Sequence, residues 1–92
     1  MINGNPNDFL YVLYSGQDTV YIFHGIKYWF QGYTTPNGFH MEIFQYQPPT
    51  EGYTWEFDAS SADEGKKAFI TAPIFEGKTF WEVEQEIEWT DE

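Results

Sequence analysis

His40 and Glu42 stand two residues apart in the run FHMEIFQYQ, and on an extended chain that spacing turns both side chains to one face. An imidazole nitrogen and a carboxylate oxygen placed this way can share a metal ion or pass a proton. A metal site asks for three or four protein ligands, and the spacing supplies no third, so no metal or cofactor is expected. Glu56 and Asp58 repeat the interval. Paired carboxylates of this kind serve glycosidases only when they face each other across a cleft, and a chain of 92 residues has little depth for one. Ser15, Ser60 and Ser61 fall in turns or at a cap, with no histidine placed beside them by sequence, so a serine nucleophile lacks its base. The run EGK followed by Thr79 echoes the end of a phosphate loop without its first glycine or preceding strand. DASSADE is rich in oxygen ligands but lacks the alternating acids and central glycine of a calcium loop. No catalytic residue is expected, and the chain reads as a binding protein rather than an enzyme.

Two other constellations suit binding. Glu82, Glu84, Glu86, Glu88, Asp91 and Glu92 crowd the last eleven positions, and spaced carboxylates attract the lysines and arginines of a basic protein surface. Small acidic proteins that inhibit nucleases occupy phosphate grooves in this way, a likeness of composition and size. The plainer reading is a solvated face that keeps an aromatic-rich chain soluble. Trp29, Tyr33, Phe44 and Tyr46 form the second set, with Gln31, His40, Glu42 and Glu56 between them. Flat rings among hydrogen-bonding groups can take a small ligand, a glycan or a second copy of the chain in a homodimer. Cross-strand ring pairs also stabilise a sheet without binding anything.

The elements that must carry these residues are legible from turn chemistry and periodicity. FLYVLY (9–14), TVYIFH (19–24), IKYWFQGY (26–33), FHMEIFQYQ (39–47) and YTWEFD (53–58) are aromatic or β-branched runs separated by SGQD, a His24-Gly25 turn, TPNG and PPTEG, which predicts five antiparallel strands over 9–58. Residues 1–7 read as a tail. Ser61 precedes Glu64 by three and Thr79 precedes Glu82 by three, the spacing of two capping boxes. Helices are therefore expected over about 62–71, stopping at Pro73, and over about 79–88. The second conflicts with strict alternation through WEVEQEIEW, which would instead form a strand with Trp81, Val83, Ile87 and Trp89 on one face. The expected fold is a single α+β domain over 1–92: an antiparallel β-meander of about five strands followed by two C-terminal helices packed on one sheet face. Alternation then turns Ile26, Tyr28, Phe30, Phe39, Met41, Ile43, Tyr53, Trp55 and Phe57 toward the helices, and the aromatic set to the opposite face.

Composition sets the outer limits. Residues 1–50 hold three acids against Lys27, and residues 51–92 hold twelve acids against Lys66, Lys67 and Lys78, so nearly all of the net charge of −11 lies in the second half. With no arginine and four lysines the chain offers no basic stripe to displace counterions from phosphates, and no direct nucleic-acid binding is expected. Cysteine is absent, which removes disulfides, thiolate metal sites and thiol catalysis. Twenty aromatic residues are present, and most of them must be buried, because apolar burial alone offsets the entropy of ordering the chain. No run approaches the roughly 20 apolar residues of a membrane span, and a soluble, cytoplasmic protein is expected.

Overall fold

In the computed structural model, which describes residues 1–90, Asn5 starts the first element: its side-chain oxygen accepts from the backbone N–H groups of Asn7 (2.8 Å) and Asp8 (3.3 Å). With Pro6 preset for the first turn, the chain from Pro6 to Tyr14 is a helix, α1. This corrects the strand expected over 9–14. A 3.6-residue period buries Phe9, Leu10 and Leu13 together and leaves Tyr11 exposed, and the Asn-Pro cap favours that solution over alternation. The residues expected as a tail are tied down: Ile2 N–H donates to Ile87 O (2.9 Å), and the Asn3 side chain bonds both the N–H and the carbonyl of Trp89.

The strands follow as β1 (Thr19–Phe23), β2 (Ile26–Thr35), β3 (Gly38–Gln47) and β4 (Trp55–Ala59). His24 and Gly25 both take positive φ, 52° and 82°, the turn that matches the twist of a two-residue hairpin. Helix α2 (Ala62–Thr71) has the predicted bounds, with Ser61 Oγ accepting from Glu64 N–H at 3.2 Å. Gly65 lets this helix lie close on β3, since a Cβ there would stand 3.1 Å from the Met41 thioether.

The C-terminal segment is both things its sequence suggests. Glu82 accepts from Thr79 N–H at 3.0 Å, but helix α3 covers only Phe80–Val83; a 3₁₀ turn at Glu84–Glu86 leads into β5 (Ile87–Thr90). The helix expected over 79–88 is thus corrected after one turn. Pairing decides it: β1 would otherwise present an unpaired edge, and β5 closes it in the register Phe23↔Ile87 and Tyr21↔Trp89. That register buries Ile87 fully and lays Trp89 against the core.

The result is an α+β fold with a five-stranded antiparallel sheet of order β4-β3-β2-β1-β5. All three helices contribute to a core on one face, so the helical layer is right but is not all C-terminal. Phe30, Phe39, Met41 and Ile43 face this core as predicted, joined by Phe9, Phe69, Phe75 and Phe80. Tyr53 does not: it precedes β4, escapes the alternation of that strand, and is 53% exposed. Phe57 points inward but is only half-buried, because β4 is an edge strand. No helix among the described residues is long and apolar enough to cross a membrane.

Candidate functional site

The face of the sheet opposite the helices carries the chemistry. Register aligns Phe44 with Trp29 and Val20 in one row, Glu56 with Glu42 and Gln31 in the next, and Asp58 with His40 and Tyr33 in the third. The predicted aromatic set is brought together: Trp29 lies 5.3 Å from Phe44 and 6.1 Å from Tyr46 between ring centroids. Tyr33 sits apart from these rings, against the His40 imidazole at 5.2 Å. Tyr53 joins by approaching Phe44 at 6.2 Å, and sequence reasoning missed it because it lies outside its strand. Tyr33 and Tyr53 are half exposed. The Trp29 indole N–H is buried with no acceptor among the described residues, and Asp18, Thr19, Val20, Trp29 and Tyr46 line a shallow groove of about 190 Å³ beside it.

His40 is the centre of the polar half. Its Nδ1 bonds Asp58 Oδ1 at 2.6 Å, while Nε2 stands 3.2 Å from Glu42 Oε2 and 3.7 Å from Glu56 Oε2. The hydrogen bond to Asp58 raises the histidine pKa above its ordinary value; burial opposes this, and Glu42 adds to the rise. Glu42 is 8% exposed, an uncommon position for a carboxylate, and it raises the Tyr53 pKa through its charge and a hydrogen bond. The partner that sequence spacing could not supply for His40 and Glu42 is therefore β4: Glu56 and Asp58 arrive by strand pairing. Their own two-residue interval marks them as sharing a face, but which residues they oppose is a matter of register.

The acidic set has a different fate. Glu82 caps α3, Glu84 pairs with the N-terminal ammonium, Glu86 with His24, and Glu88 lies on β5 opposite Ile22. The four glutamates do not share one face, and Asp91 and Glu92 lie outside the described residues.

His24, at the tip of the β1–β2 turn, bridges Glu86 (2.6 Å to Nε2) and Glu76 (at Nδ1). The Glu86 hydrogen bond is the largest cause and raises its pKa; burial opposes this, and Glu76 adds to the rise. A histidine whose pKa is raised by folding contributes stability that is fully present below its unfolded value of about 6.5 and is lost as pH climbs through the raised one. The urea midpoint of the wild type minus that of His24→Gln is expected to shrink as pH rises over this window. A difference that grows with pH would contradict the pairing.

Comparison with protein-family models, with curated proteins and with solved structures finds no match for this chain.

Proposed function

We propose that this protein is a non-catalytic interaction module of the cytoplasm, and that its uncovered sheet face docks on a basic surface of a protein partner. The observation that carries this reading is the alternation of rings and carboxylates on one plane: Trp29, Phe44 and Tyr53 in one cluster near Glu42 and Glu56, and Tyr33 in the row of Asp58 with His40 between them. A lysine or arginine of the partner can lie over a ring, held by its quadrupole, and end on a neighbouring carboxylate in a charge-assisted bond. The net charge of −11 extends the attraction beyond the contact. The same charge disfavours a homodimer through this face, since two copies would bring like carboxylates together. The dispersal of Glu82, Glu84, Glu86 and Glu88 supports the sheet rather than the C-terminal segment as the contact surface.

Paired variants test this. The tagged protein is used to capture basic proteins from host lysate at low salt, with elution at about 0.5 M, where screening shortens to a few ångströms. Tyr33→Ala with Glu56→Lys is expected to reduce the captured protein about tenfold or more, the loss of one cation–π contact and one ion pair. Tyr11→Ala with Asp63→Lys, on the helical side, is expected to leave capture intact. The reverse pattern, or capture that survives the salt step unchanged, would reject the reading.

A further inference from the structure

The ion-paired arrangement around His40 also brings three ligand atoms within the reach of one metal ion. The imidazole is used at both ends for different purposes. Nδ1 is held by Asp58 at 2.6 Å, which fixes the ring orientation and leaves Nε2 aimed between Glu42 and Glu56. Metal-ligating histidines commonly show this division, with one nitrogen on the metal and the other donating to a carboxylate behind it. The spacings agree as well. Ligand atoms about 2.0 to 2.2 Å from a tetrahedral zinc ion stand about 3.3 to 3.6 Å from one another, and Nε2 stands 3.2 and 3.7 Å from the two glutamate oxygens. The three ligand atoms all lie within 4.8 Å of one another.

Charge points the same way. Glu42 and Glu56 are directly opposed in the register of β3 and β4, and like charges so placed destabilise a sheet. Glu42 is also nine-tenths buried. His40 offers at most one positive charge to three carboxylates, and no lysine occupies β3 or β4. A divalent cation offsets what the imidazole leaves.

We propose that His40 Nε2, Glu42 and Glu56 bind a divalent transition-metal ion of the zinc class, with Asp58 as the outer carboxylate that orients the imidazole. The ion takes the place of the proton on Nε2, and a solvent molecule completes the tetrahedron at the exposed side, where Glu56 and Asp58 are open to water. One nitrogen among the ligands selects zinc-like ions over calcium and magnesium, which prefer oxygen alone. This proposal shares Glu42, Glu56 and Asp58 with docking on a basic partner but does not rest on that reading, because zinc binding is measured on the isolated protein.

Isothermal titration of the metal-free protein with zinc chloride tests it, with calcium chloride as the comparison ion and circular dichroism to confirm that each variant is folded. One zinc per chain is expected, with no saturable calcium binding. Glu56→Gln, an exposed edge position, is expected to abolish the saturable zinc event. Asp58→Asn is expected to weaken it by about 10- to 100-fold, the usual cost of removing an outer carboxylate. His24→Gln, which removes the other histidine and its two glutamate contacts, is expected to leave it unchanged. Absence of saturable zinc binding, retention of it in Glu56→Gln, equal affinity in Asp58→Asn, or loss in His24→Gln would each overturn the assignment.

Discussion

Phe69→Ala is expected to lower the stability of this domain by about 3 to 5 kcal/mol, enough to leave much of the chain unfolded at physiological temperature, since domains of this size are stable by only about 5 to 15 kcal/mol. Phe69 is fully buried on α2, and its ring lies 6.0 Å from Phe30, 6.1 Å from Trp55, 6.1 Å from Phe75 and 5.7 Å from Phe80. These partners come from the sheet, from the loop after α2 and from α3. The ring therefore joins layers that no backbone hydrogen bond connects among the described residues, and removing it opens a cavity that rigid aromatic neighbours cannot fill. Phe57→Ala, on the half-buried inner face of β4, is expected to cost distinctly less. Urea midpoints of the two variants against wild type check the order; a Phe69→Ala midpoint at or above that of Phe57→Ala would show that the core is organised elsewhere.

Gly38→Ala is the second large effect, and it reaches the site. Gly38 begins β3 with φ at +152°, and a Cβ there would stand 2.0 Å from the Ala59 carbonyl oxygen and 2.9 Å from Ser60 Cα. Backbone cannot yield as the end of a flexible side chain can, so the end of β4 must move. The unfavourable backbone conformation alone costs about 1 to 3 kcal/mol, and displacement of the strand adds to it. Asp58 is the residue next to Ala59, and it pairs with His40 across the same ladder. The expected outcome is a lowered thermal midpoint together with loss of the hydrogen-bonded His40 Nδ1–H resonance in the proton NMR spectrum. An unchanged midpoint would mean that β4 tolerates the shift, and an unchanged resonance that the ladder survives it.

Both substitutions bear on what holds the proposed binding face in place. A β4 edge strand five residues long holds two of the three carboxylates around His40, and its position depends on Gly38 at one end and on α2 packing beneath it. Trp29, Tyr33, Phe44 and Tyr46 on the same face rest on the longer β2 and β3, ten residues each, and need no such support. Loss of β4 order would therefore disable the His40 cluster while leaving Trp29, Phe44 and Tyr46 in place.

Local chemistry made much of this fold readable. Ser61 and Glu64 mark the start of α2 and Pro73 closes off its continuation, because a cap and a proline act within a turn of where they stand. The His24-Gly25 and Pro36-Asn37 turns set the hairpins for the same reason, and alternation through β2 and β3 correctly separates Phe30, Met41 and Ile43 from Trp29, Phe44 and His40. The Asn5-Pro6 cap is equally local and legible; the aromatic run after it has the composition of a strand, yet in the fold the cap prevails over composition. What no local signal contains is the partner of an edge. Whether 87–90 continues a helix or becomes β5 depends on the open side of β1, some sixty-five residues earlier in the chain, and the free energy of pairing it outweighs the helical preference of its glutamates. The same holds for the site. The amino-acid sequence by itself determined the net charge, the absence of cysteine, the aromatic face and the His40-Glu42 pair. Only the tertiary structure, through the antiparallel register of β3 and β4, decided that Glu56 and Asp58 complete that pair, because cross-strand neighbours are chosen by backbone hydrogen bonding between segments and not by spacing within either one.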